Sequence, residues 1–75
     1  MFEEIKAIIV KHLKIDPKKI TETTNLQEDL GADSLDLVEI IMELENTFGI
    51  EIPDEDILGL KTMDDVIAYI EKKKN

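Results

Sequence analysis

Few residues in this 75-residue chain have the types and neighbours that chemistry requires. Ser34 stands between Asp33 and Leu35 with Asp36 just beyond, while the single histidine, His12, lies far upstream. A serine nucleophile needs a base within hydrogen-bond reach. No Gly-x-Ser-x-Gly elbow surrounds Ser34, and His12 falls on a separate helix, so a catalytic serine is rejected and the chain reads as no enzyme. Two readings of Ser34 remain open. It is either a helix-compatible residue of a first turn, or a hydroxyl offered at a loop-to-helix junction to another enzyme that supplies the base. A phosphate attached there would lie at a helix N-terminus, where free backbone N–H groups favour anions.

Other chemistries are poorly supported. The chain has no Cys, which removes disulfides and thiolate-ligated metals. Glu28, Asp29, Asp33 and Asp36 lack the spacing of an EF-hand loop, and His12 reads as a surface residue of a helix rather than a ligand. No intrinsic metal site is expected, although dense carboxylates could recruit Ca2+ or Mg2+ loosely.

The elements that must position Ser34 follow from periodicity. Ile5, Ile8, Ile9 and Leu13 recur at helical spacing within Glu3–Lys14, and the helix stops before Asp16-Pro17. Residues 15–32 have no sustained period and form a long loop, a length that is uncommon inside compact domains unless functional. Asp33 is a preferred N-cap, Asp36 faces the positive end of the helix dipole and Gly49 suits a left-handed stop, so the second helix spans Ser34–Phe48. A weak short helix follows at Asp54–Leu58. A final helix opens at Thr62-Met63-Asp64-Asp65, a capping box with Asp in place of Glu, and buries Met63, Val66, Ile67 and Ile70. Lys72–Lys74 read as a solvated tail. The expectation is an all-α fold: one domain over 1–75, a small bundle of three main helices plus one short helix, with a long loop between helices one and two.

The second helix has more apolar surface than a small bundle needs. Leu37, Ile40, Ile41, Leu44 and Phe48 share one face and suffice as a core stripe. Leu35, Val38 and Met42 make a second stripe, flanked by Asp36, Glu39, Glu43 and Asn46. An apolar centre with an acidic rim describes a binding surface, although a short domain could instead pack that stripe under its long loop.

Charge sharpens this reading. All nine Lys residues lie in 1–19 or 61–74, while residues 20–60 carry twelve acids and no Lys or Arg, against a net charge of −9 overall. A single-sign block repels itself as well as nucleic acid phosphates and anionic lipid, so it serves either solubility or the docking of basic partners. No segment has the unbroken apolar run of a signal peptide or membrane span, so no nucleic acid partner and no membrane insertion are expected, and a cytoplasmic monomer is.

The runs Leu30-Gly31-Ala32-Asp33-Ser34-Leu35-Asp36-Leu37-Val38-Glu39 and Phe48-Gly49-Ile50-Glu51-Ile52-Pro53-Asp54 resemble the acyl carrier proteins of dissociated fatty acid synthesis. The likeness extends over the whole chain in length, helix order and acidity. It implies that a separate magnesium-dependent phosphopantetheinyl transferase joins Ser34 through a phosphodiester to 4'-phosphopantetheine, whose thiol holds a growing fatty acyl chain as a thioester. It also implies that Asp33, Leu35, Asp36, Val38, Glu39, Met42, Glu43 and Glu45 belong to a recognition helix that docks on basic patches of fatty acid synthesis enzymes, although helical spacing puts Glu45 nearer the core side. Two departures stand out: Asn46 replaces a common acid, and Leu37 is bulkier than the Thr often found there, which would narrow an acyl cavity. Gly31-Ala32-Asp33 favours fatty acids over aminoacyl or peptidyl groups. D-alanine, a polyketide or a specialised lipid stay open as cargo, and so does an unmodified acidic adaptor.

An acyl chain in water is unfavourable by about 0.8 kcal/mol per CH2 relative to burial. A carrier therefore needs an interior that opens. Leu44, Ile52, Ile57, Leu60, Met63 and Ile67, drawn from the second, third and fourth helices, are the expected lining, with the short helix moving to admit the chain.

Overall fold

The structure is a computed structural model and describes residues 1–74. Among the described residues four α-helices follow one another: α1 (Phe2–Leu13), α2 (Ser34–Phe48), α3 (Asp54–Ile57) and α4 (Met63–Lys74). Each begins or ends where local chemistry dictates. Glu3 and Glu4 sit in the first turn of α1, and Lys11 and His12 in its last, matching the helix dipole at both ends. Its chain reverses at Lys14, which takes a left-handed φ of 55°. Gly49 does the same after α2 at φ 66°, where a residue without Cβ adopts the turn freely.

At α4 the Thr62 hydroxyl accepts from the Asp65 N–H at 3.2 Å, and the Asp65 carboxylate accepts from the Thr62 N–H at 3.1 Å. The capping box predicted there is formed. The helix runs on through Lys74, so Lys72–Lys74 are its last turn rather than a loose tail. Three cations beside the negative end of the dipole make that continuation favourable. The short helix ends one residue earlier than predicted, at Ile57.

The core draws Ile5 and Ile9 from α1, Ile40 and Leu44 from α2, and Met63, Val66 and Ile70 from α4. Ile20 and Leu26 reach in from the long loop and are equally buried. That loop is less irregular than its sequence suggests. Pro17–Lys19 form one 3-10 turn capped by the Asp16 carboxylate. The Asn25 side-chain oxygen accepts from the N–H groups of Gln27 and Glu28 at 3.0 and 2.9 Å, the side-chain turn that Asn commonly makes. Buried Thr24 accepts the Thr21 N–H at 2.7 Å through its hydroxyl.

A backbone seam then fixes the loop to the entry of α4. The Leu26 N–H donates to the Lys61 carbonyl at 2.8 Å, Met63 N–H to Thr24 at 3.1 Å and Asp64 N–H to Glu22 at 2.8 Å. In this way the loop leading to Ser34 is held by distant residues. By contrast α3 contributes no buried residue. Its clearest tie is the Tyr69 hydroxyl, which donates to the Asp56 carboxylate at 2.5 Å. Burial, and secondly Asp56, push the Tyr69 phenol up to about 12, so it stays a donor at neutral pH.

Candidate functional site

Ser34 is the first residue of α2 and is exposed. Asp33 and Asp36 bracket it in a reciprocal capping box: the Asp36 N–H donates to Asp33 Oδ1 at 2.9 Å and the Asp33 N–H to Asp36 Oδ2 at 3.3 Å. The box consumes the N–H groups of Asp33 and Asp36, and those of Ser34 and Leu35 are left at the helix end without an intrahelical acceptor. Gly31, in a left-handed conformation at φ 73°, and buried Ala32 bring the loop into this cap. The hydroxyl is thus held on a rigid turn but offered to solvent, with no histidine near it in sequence or hydrogen bonding.

Behind Ser34 lies a cavity of about 400 Å3 between α2, α3 and the entry to α4, lined mainly by Leu37, Val38, Ile57, Leu58 and Leu60. Ile57 and Leu60 were expected there. Leu44, Ile52 and Met63 are instead fully packed core residues at 0%, 5% and 0% exposure, and Ile67 is half-buried outside the lining. With no chain attached, these four lie outside the open space, and an acyl tail would reach them only if the core parted. Leu37, whose bulk relative to the Thr common in the resembled family would narrow an acyl cavity, lines this one, and so do Leu58, Gln27 and Lys61, which were not among the expected residues. Leu58 carries a signal that could have found it: a large apolar residue beside Gly59, outside any core periodicity.

Along α2 the second stripe is uncovered. Leu35, Val38 and Met42 are 69%, 44% and 57% exposed, so the long loop does not pack over them. Asp33 and Glu39 are exposed and Asp36 is half-buried, and Glu39 Oε2 also lies 3.9 Å from His12 Nδ1. Two acids assigned to that surface do other work. Glu43 faces α1, where its carboxylate meets His12 Nε2 at 2.7 Å and Lys11 Nζ at 3.5 Å. The hydrogen bond with His12 is the main cause that holds the Glu43 carboxyl below its ordinary range. Glu45 is half-buried and accepts the Ile52 N–H at 2.8 Å, tying the α2–α3 connection to α2. His12 is accordingly an interhelical hydrogen-bonding residue and not merely a surface one.

A rigid, solvent-facing serine beside an apolar cavity suits a hydroxyl that is modified by another enzyme, with the cavity available to an attached apolar group. The residues fit a phosphopantetheine arm on this ground, since the serine is accessible and the space behind it is mostly hydrophobic. Comparison with known proteins agrees. Residues 3–70 match the family described as phosphopantetheine attachment site, and the chain belongs to it. Its similar relatives are acyl carrier proteins: one from Wolinella succinogenes is 47% identical over 74 residues, covering 99% of this chain and 97% of its own. Another, from Bdellovibrio bacteriovorus, is 51% identical over 70 residues, covering 93% and 90%. A solution structure of a candidate acyl carrier protein from Anaplasma phagocytophilum superimposes with a TM-score of 0.89 at 38% identity, covering 99% of this chain and 88% of that one. The protein is therefore a carrier and not an enzyme, and its prosthetic group is 4'-phosphopantetheine. That removes the adaptor alternative. No helix among the described residues is long and apolar enough to cross a membrane.

Proposed function

We propose that Ser34 is the attachment residue and that the chain, acting as one carrier domain over 1–75, delivers fatty acyl groups between enzymes of fatty acid synthesis. The observation that carries this is the exposed Ser34 hydroxyl at the mouth of the apolar cavity. In loading, Ser34 Oγ attacks the pantetheine-side phosphorus of CoA's diphosphate within a transferase that holds Mg2+. The P–O bond to the nucleotide breaks, adenosine 3',5'-bisphosphate leaves, and a base of the transferase takes the hydroxyl proton. When bound, the arm supplies a thiol that holds the acyl group as a thioester. The residues of this chain then do the rest: Asp33 and Asp36 keep the serine at a capped turn, and Leu37, Ile57 and Leu60 shield an apolar tail from water.

Leu35, Val38 and Met42, edged by Asp33, Asp36 and Glu39, form the docking face for basic patches on partner enzymes. Acids of this kind raise encounter rates, and an unbranched thioether such as Met42 adapts to differently shaped partners. A monomer in the cytoplasm suits this shuttling role.

The test is intact mass after incubation with CoA, Mg2+ and a broad-specificity phosphopantetheinyl transferase. The unmodified parent gains one phosphopantetheine and Ser34→Ala gains none. Equal gain on the variant would move the attachment to another residue.

A further inference from the structure

The cavity beside Ser34 has one basic residue in its lining, Lys61, together with one acid, Asp54. Every other Lys lies in residues 1–19 or 72–74. The backbone of Lys61 is fixed on both sides, its N–H donating to Asp65 Oδ2 at 3.2 Å and its carbonyl accepting from Leu26 at 2.8 Å. Its side chain is exposed, and no ion pair among the described residues includes it. A cation is therefore anchored by its main chain in the lining of the cavity that Ser34 also lines, with its ammonium in no ion pair among the described residues.

A phosphodiester on Ser34 Oγ would add a negative charge between Asp33 and Asp36, within the block of twelve acids. The free N–H groups at the start of α2 favour an anion there, while the two flanking carboxylates oppose it. A counter-charge is needed from outside the helix, and Lys61 is the lysine that shares the cavity rim with Ser34. We infer that the Lys61 ammonium pairs with the phosphodiester on Ser34 and so holds the root of the arm across the cavity mouth rather than out over solvent. This rests on Ser34 being the attachment residue.

Such a contact belongs to exposed ion pairs, which shift a two-state equilibrium by at most about fivefold. That strength suits a carrier. It biases the arm toward the cavity between encounters, and a docking partner's Lys or Arg can displace it at delivery.

The experiment compares the unmodified and modified protein, labelled with 13C at the lysine Cε positions, and follows the 31P resonance of the modified form. Attachment should shift the Lys61 Cε signal more than that of any other lysine. The 31P resonance should move in Lys61→Gln, stay close to the parent in Lys61→Arg, and lose its dependence on Lys61 near 1 M salt, where the screening length falls to about 3 Å. A normal gain of mass with an unmoved Lys61 signal and identical 31P resonances would overturn the pairing and leave Ser34 as the attachment residue. Absence of any mass gain on the parent would overturn both. The variants replace an exposed side chain whose backbone bonds are retained, and thermal melting checks that they fold.

Discussion

Glu43 illustrates how one side chain can be assigned by spacing and reassigned by contact. Its place on the helical wheel put it on the acidic rim, yet its carboxylate is bound to His12 and Lys11 across the α1–α2 interface. The two partners are 31 and 32 residues away in sequence, so no local pattern could reveal them. Because the folded state holds this carboxyl below its ordinary value of 4.5, its contribution to stability is complete above that value and is lost as pH falls through the lower folded one. Melting of the parent and of Glu43→Gln over about pH 3 to 7 should show the parent more stable at neutral pH, with the difference shrinking as acid protonates Glu43. A difference independent of pH would assign the effect to shape instead of charge. Ser34 is singled out in the sequence for a different reason: the residues that mark it, Asp33, Leu35 and Asp36, are its close neighbours in the chain.

Among the elements, α2 was the most readable because its start and stop are set by single residues, Asp33 and Gly49, whose conformational preferences are strong. Asp33→Ala should remove the cap and cost about 1 kcal/mol. For a domain of this size that lowers the melting temperature by about 4–8 °C. If calorimetry showed no loss, the Asp36 half of the box would be sufficient alone. The end of α4 was misread because Lys72–Lys74 have no apolar period, although their charge suits a helix terminus. The lining of the cavity is less legible for a more general reason: apolar periodicity tells which residues point inward but not which of them border open space. Leu44 and Leu60 are both buried core residues, and only Leu60 also borders the cavity.

At the scale of the whole molecule, charge and core pull against each other. Twelve acids without a Lys or Arg in residues 20–60 repel one another across a domain that buries only about 60% of its unfolded surface. Divalent cations should therefore raise the melting temperature more than NaCl at the same ionic strength, because they add local binding to general screening. Equal effects would leave screening as the whole cause. The seam between residues 22–26 and 61–64 has a consequence in time rather than in space. A chain emerging from the ribosome exposes Ser34 well before it has made the strip that braces the Ser34 loop, and closing so long a stretch must await the later residues. A peptide ending at residue 60 should therefore gain mass from the transferase more slowly than the full chain, whereas equal rates would show the brace to be dispensable. If the brace is needed, unfinished chains are poor substrates, and maturation is confined to molecules whose synthesis has reached the last helix.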